Sequence, residues 1–193
     1  MNEKYKYLGK NTLIFAISSF GTKFLSFLLV PLYTNVLSTE EYGTADLITT
    51  TATLLIFVLT INIGDAVLRF SIERISNQGE VLSYGIRVLM IGTLWCALGL
   101  GVVALIGVLN WPPHYYLFVL LFFFSTALYQ ILTNYLRGVD KVRQVAVAGI
   151  ISALALILSN ILFLLVVRIG IFGYLISLVL GPLVASIYCT LVI

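Results

Sequence analysis

Residues 88–109 contain no Asp, Glu, Lys or Arg, and an uninterrupted apolar run of that length constrains a chain more than any motif. A helix that crosses a bilayer needs about 20 mainly apolar residues. Five further stretches have the same character: residues 11–35, 42–64, 115–136, 144–167 and 169–193. In hydrocarbon every backbone N–H and C=O must be satisfied within the protein, so only helices and closed barrels span. Barrel strands are about 10 residues long and alternate polar with apolar; these runs are continuous, so helices are expected. Only 10% of the 193 residues are charged, against about 25% in soluble domains, too few to cover a water-facing surface. The predicted fold class is therefore all-α: a polytopic transmembrane helix bundle of about six spans.

The breaks between the runs carry turn and capping residues. Ser38-Thr39-Glu40-Glu41 separates the first two spans and reads as a helix cap. Trp111-Pro112-Pro113-His114, with His114 read as a loop residue, divides the third from the fourth. Gly138-Val139-Asp140-Lys141 divides the fourth from the fifth, and Arg168-Ile169-Gly170 links the fifth to the sixth. The longest connection, 65–87, reads as a helical continuation of the second span followed by a turn at Ser76-Asn77-Gln78-Gly79. The first segment is too long for the apolar core of a signal peptide and is followed by no small-residue cleavage site, so it reads as a permanent helix.

Basic residues set the orientation. With six alternating spans, Lys4, Lys6, Lys10, Arg69, Arg74, Arg87, Arg137, Lys141 and Arg143 fall on one side. Of the 11 Lys and Arg residues only Arg168 falls on the other, and Lys23 lies within a span. The populated side is the cytoplasm, which places both chain ends there. The chain is expected in the cell (cytoplasmic) membrane.

Charge at the centre of a membrane helix costs about 2.5–3.5 kcal/mol on insertion scales. Lys23 lies about 12 residues, or roughly 18 Å, from either end of its span, beyond the reach of a snorkelling side chain. Ser19, Thr22, Lys23 and Ser26 share one helix face, which predicts contact with a bundle interior or hydrated cavity. Asp46, Thr49, Thr50, Thr53 and Thr60 line one side of the second span, and Thr126, Gln130, Thr133 and Arg137 one side of the fourth. Ser152, Ser159 and Asn160 polarise the fifth more weakly. A purely structural reading exists for each set. Ser and Thr hydroxyls bond their own helix carbonyls, Asp65 and Arg69 can pair across one turn, and Lys23 can be held by Asp46 or a carbonyl. Arg137, Lys141 and Arg143 serve orientation or touch lipid head groups.

Cys96 and Cys189 lie in apolar runs and read as packing residues, with no metal-ligand spacing. No catalytic residue, metal site or cofactor is expected. An intramembrane hydrolase needs a Ser/His, paired Asp or His-rich set, whereas the one histidine, His114, is in a connection. No nucleic acid partner is expected. A buried lysine suits an anionic ligand, either a lipid-linked pyrophosphate or a carboxylate.

The stretches Phe20-Gly21-Thr22-Lys23-Phe24-Leu25, Val30-Pro31-Leu32-Tyr33-Thr34 and Glu41-Tyr42-Gly43 resemble the opening of the polysaccharide biosynthesis protein family. Gly64-Asp65-Ala66-Val67-Leu68-Arg69-Phe70, Asn134-Tyr135-Leu136-Arg137-Gly138 with Lys141, and Gly170-Ile171-Phe172-Gly173 extend the resemblance over essentially the whole chain. The resemblance implies an alternating-access flippase for a polyprenyl-pyrophosphate-linked oligosaccharide in the bilayer. Lys23, Ser19, Thr22, Ser26, Asp46, Thr49, Thr53 and Gln130 would then line the cavity, and Arg69, Arg137 and Lys141 would meet the head group at the cytoplasmic mouth. A coupling ion is a possible further partner. Such proteins have two lobes in a repeat arrangement, so residues 1–193 are expected to be the N-terminal lobe, completed by a C-terminal lobe or a second copy. A cation-coupled multidrug exporter lobe and a non-catalytic membrane scaffold are the alternatives. The exporter usually carries an acid in its first helix, where this chain has Lys23.

Overall fold

The computed structural model describes residues 30–73, 78–107 and 111–193. They form an all-helical bundle of α1 (Val30–Val36), α2 (Thr39–Thr60), α3 (Ile63–Ile72), α4 (Gln78–Ile106), α5 (Pro113–Gly138), α6 (Val142–Asn160) and α7 (Ile171–Val192). A π-helical segment, Ile161–Val166, continues α6. Among the described residues five helices are long and apolar enough to cross a membrane: Thr39–Thr60, Gly79–Ile106, Pro113–Gly138, Val142–Val166 and Ile171–Val192. They correspond to the second through sixth expected spans. The first expected span lies outside the described residues except for its last turns in α1, and with it Ser19, Thr22, Lys23 and Ser26.

Helix α2 starts where the sequence places a cap. The Glu41 N–H donates to Ser38 Oγ at 3.2 Å, and the Ser38 N–H donates to Glu41 Oε2 at 2.8 Å, so each side chain satisfies the other residue's otherwise unpaired N–H. Ser38→Ala is expected to cost about 1 kcal/mol of stability. Glu41→Gln keeps an acceptor and should cost less than half of that; thermal unfolding in detergent compares the two. At the other connections, Pro113 stands at the first position of α5, where a missing N–H is harmless. Helix α7 follows Gly170, whose φ of +58° suits glycine.

Between membrane helices there is no hydrophobic driving force, so association depends on close packing and small residues. Helix α5 is the central element. It packs on α2, α3, α4, α6 and α7, and six consecutive residues, Ile131 to Leu136, are buried. Helix α2 presents Ala45, Ile48, Ala52, Ile56 and Thr60 to the core, one stripe at helical spacing. A Cβ on Gly181 would stand 3.1 Å from the Ser152 carbonyl, so α6 and α7 approach almost backbone to backbone. The register gives directions. Gly92 meets Leu59 while Gly85 meets Val67, so α4 runs against α2 and α3. Gly64 meets Gln130 and Asn134 while Gly138 meets Leu68 and Ser71, so α5 runs with them. Alternating spans require this pattern. One end of the bundle gathers aromatics: Tyr33, Tyr42 and Tyr174 cluster with centroids 4.6–6.4 Å apart, and His114 lies 4.9 Å from Phe172. Such a cluster suits a membrane interface; Arg69, Arg137 and Lys141 lie toward the opposite end of the bundle.

Several sequence expectations are corrected. The second span does not run through to Gly64. It stops at Thr60, and Ile61 and Asn62 are left-handed, with φ of 50° and 51°. The continuation expected after it exists, but as the separate helix α3. The third span begins at Gln78 rather than Val88, because a helix need not end where the hydrocarbon does. His114 is in the first turn of α5, not in a loop. The fifth span is not regular to its end: the Val167 N–H donates to the Leu162 carbonyl at 2.9 Å, an i→i+5 bond. Asn160 Nδ2 donates to the Leu156 carbonyl at 2.8 Å, and Ser159 Oγ donates to Ala155. Two successive side chains thus compete for helix carbonyls just before the ladder widens.

Candidate functional site

The expected cavity residues on α2 flank its packed stripe rather than joining it. Asp46 and Thr53 are exposed and Thr49 is half-buried. Their hydroxyls are used within the helix: Thr49 Oγ1 donates to the Asp46 carbonyl at 3.0 Å and Thr53 Oγ1 to the Thr49 carbonyl at 2.7 Å. Each oxygen keeps acceptor capacity, so the stripe presents acceptors and one carboxylate.

Gln130 is not part of that stripe. It lies on α5 beside Gly64, whose Cβ would stand 3.3 Å from Gln130 Cγ and 3.1 Å from Asn134 Nδ2. Since α2, α3 and α5 run the same way, Asp46 is 18 residues above this level, about 27 Å at helical rise. The structure therefore separates Asp46, Thr49 and Thr53 from Gln130.

What it does assemble is a polar junction at the end of the bundle away from the aromatic cluster, where α3 lies along α5. On α5, Arg137 Nη1 donates to Asn134 Oδ1 at 3.3 Å, and Asn134 is buried. Thr133 Oγ1 donates to the Tyr129 carbonyl at 2.8 Å. On α3, Arg69 Nε meets Glu73 Oε1 at 3.4 Å. Asn62 Nδ2 donates to Asp65 Oδ2 at 2.6 Å, and the Asp65 N–H donates to the Asn62 carbonyl at 3.1 Å. The expected Asp65–Arg69 pair is thus replaced: Asp65 serves the first turn of α3, which leaves Arg69 to the carboxylate one turn later. The Arg69–Glu73 pair is exposed and worth little to stability.

The junction is close because a glycine permits it. A Cβ on Gly138 would stand 2.3 Å from Ser71 Cβ and 3.1 Å from the Leu68 carbonyl. Arg69 and Arg137 are thereby held at the same end of the same seam. Above them the backbone is interrupted at Ile61–Asn62. Unwound backbone at membrane depth occurs where it is buried in protein or lines a polar cavity. Lys141 is placed differently: its Nζ donates to the Val192 carbonyl at 2.8 Å, tying the α5–α6 connection to the last turn of α7. Among the described residues the buried side-chain polar atoms without a partner are Thr126 Oγ1, Ser71 Oγ and Asn160 Oδ1; Ser71 lies on the α3–α5 seam.

Asn134 and Asn62 were not among the residues expected at the site. Asn62 carried a signal, since Asn tolerates the left-handed region. Asn134 carried none beyond its spacing from Gln130 and Arg137. Among the described residues no cluster of three His, Cys, Asp or Glu side chains forms a metal site.

Fold and site together define an all-helical, multi-pass membrane protein with a polar, cation-bearing seam at one membrane face. This chain belongs to the polysaccharide biosynthesis protein family, whose model matches residues 8–193. No curated protein and no solved structure matches it.

Proposed function

We propose that the chain is the N-terminal lobe of a flippase that carries a polyprenyl-pyrophosphate-linked oligosaccharide across the cytoplasmic membrane for surface polysaccharide. The observation that carries this reading is the α3–α5 seam: two arginines and two amides beside an interrupted membrane helix, in a member of a polysaccharide biosynthesis family. Guanidinium groups bind phosphate oxygens through charge-assisted hydrogen bonds, so Arg69 and Arg137 receive the pyrophosphate at the cytoplasmic mouth. Amide and hydroxyl groups such as those of Gln130 and Thr133 suit a glycan's hydroxyls. Lys23 holds the charge deeper in the membrane, and Asp46, Thr49 and Thr53 line the path above. A C-terminal lobe or second copy supplies the facing wall, and no bond is made or broken in the substrate.

Transport of a fluorescent polyprenyl-pyrophosphate glycan in vesicles tests the reading, with the chain supplied together with its second lobe. Arg137→Gln should lower the rate about tenfold through loss of one charge-assisted contact, and Lys23→Ala should lower it further. Rates equal to wild type in both variants would refute the assignment. Transport of cationic drugs in place of the glycan would favour the exporter alternative.

A further inference from the structure

A second feature lies on the other side of α3. A groove of about 340 Å³ opens between α3 and the start of α4, walled by Ile63, Ala66, Phe70, Val81 and Tyr84, with Glu80 at its edge. The wall is apolar, yet Phe70 is 50% and Tyr84 65% exposed. The charge-free run of α4 starts at Val88, and Gly85 faces Val67. The groove therefore lies just cytoplasmic of the hydrocarbon boundary, in the head-group layer.

The rim carries a cation suited to this layer. Side chains on a helix lean toward its N-terminus, here the cytoplasm, and the Arg87 guanidinium carbon stands 5.7 Å from the centre of the Tyr84 ring. The aromatic face holds the guanidinium at groove level without neutralising it. Among the described residues no carboxylate pairs with Arg87; the ion pair present is Arg69–Glu73. Deeper in the membrane than the groove, Ile91, Trp95, Leu98 and Val102 are exposed on the same face as Tyr84, at helical spacing. An unpaired cation at phosphate height, an apolar wall beside it and an apolar track running into the hydrocarbon together describe an anionic amphiphile lying along α4.

We infer that this groove binds one anionic phospholipid of the cytoplasmic leaflet. Its phosphate sits on Arg87, its glycerol and upper methylenes against Tyr84, Val81 and Ala66, and one acyl chain along Ile91 and Trp95. The inference is independent of the transport reading, because it concerns the face of α3 away from α5.

Native mass spectrometry of the full chain, released from mixed phosphatidylglycerol and phosphatidylcholine of identical acyl chains, tests it. Wild type should retain phosphatidylglycerol in preference to phosphatidylcholine. Arg87→Gln should lower that retention about tenfold, and Arg87→Lys should restore part of it. Arg143→Gln, which removes an equally cytoplasmic charge, should leave retention unchanged. Ala66→Trp fills the groove and keeps every charge, and should also release the lipid. Equal retention of the two lipids by wild type, an equal loss in Arg143→Gln, or undiminished retention in folded Ala66→Trp would each overturn the site. So would displacement of the lipid by soluble glycerol 1-phosphate, since the head group alone would then account for binding.

Discussion

Gly138→Ala is expected to destabilise the bundle by about 1–3 kcal/mol, the range for forcing extra volume into a packed interface. Gly138→Leu should prevent recovery of a folded chain. The new Cβ would stand 2.3 Å from Ser71 Cβ and 3.1 Å from the Leu68 carbonyl. The first neighbour is no flexible side-chain tip that can swing aside, and the second is backbone, so relief requires α3 to move off α5. That movement would also open the contact of Gly64 with Gln130 and Asn134 one to two turns away. Ser71→Gly removes the nearer obstacle, so adding it to Gly138→Ala should recover much of the loss, whereas Ser71→Ala, which keeps the Cβ, should not. Thermal unfolding of the four chains in detergent gives the coupling directly. Additive effects of Ser71→Gly and Gly138→Ala would mean that the two residues do not touch.

The architecture is legible from the sequence wherever the bilayer dictates it. The charge-free run of α4, the cap at Ser38 and Glu41, the proline at the start of α5 and the basic residues of the connections follow from the length, satisfaction and orientation rules of a membrane. What escapes those rules is local backbone conformation inside apolar sequence. Nothing about Ile61 announces a left-handed residue, because a β-branched side chain is among the least suited to that region. The apolar pattern runs on past it to Ile63. The π-helical segment is likewise hidden, since Ile161–Val166 differs in no compositional way from the helix before it. The site was partly legible. The polar spacing on α5 puts Gln130 and Arg137 on one helix face, but one helix at a time cannot reveal register between helices. The depth at which Gln130 sits relative to Asp46 appears only in the packing of Gly64 against α5. The Lys141 bond to the Val192 carbonyl spans 51 residues, a distance no local pattern reaches.

The break itself yields the second large effect. Asn62→Val should cost about 2–3 kcal/mol, while Asn62→Gly should change stability by less than about 1 kcal/mol. Left-handed backbone costs an ordinary residue about 1–2 kcal/mol, Asn less and glycine nothing, whereas a β-branched residue is an outlier there. Valine also deletes the 2.6 Å bond from Asn62 Nδ2 to Asp65, worth about 1 kcal/mol; glycine loses the same bond but recovers most of it through relief of strain. Ile61→Gly isolates the backbone term, because the Ile61 side chain is 86% exposed and leaves little packing behind. It should stabilise the chain by about 1 kcal/mol, unusual for glycine placed in an apolar helical run. A continuous helix predicts the reverse order, since glycine inside it costs about 1 kcal/mol relative to alanine and valine almost nothing. The ranking of Ile61→Gly, Asn62→Gly and Asn62→Val by melting temperature thus separates a built-in break from a regular span. The break also sets how α3 meets α5. Without it Gly64 would rotate away from Gln130 and Asn134, and the seam that carries Arg69 and Arg137 at one end would lose its register. If the proposed flippase reading holds, Asn62→Val should therefore impair transport more than its loss of stability alone accounts for.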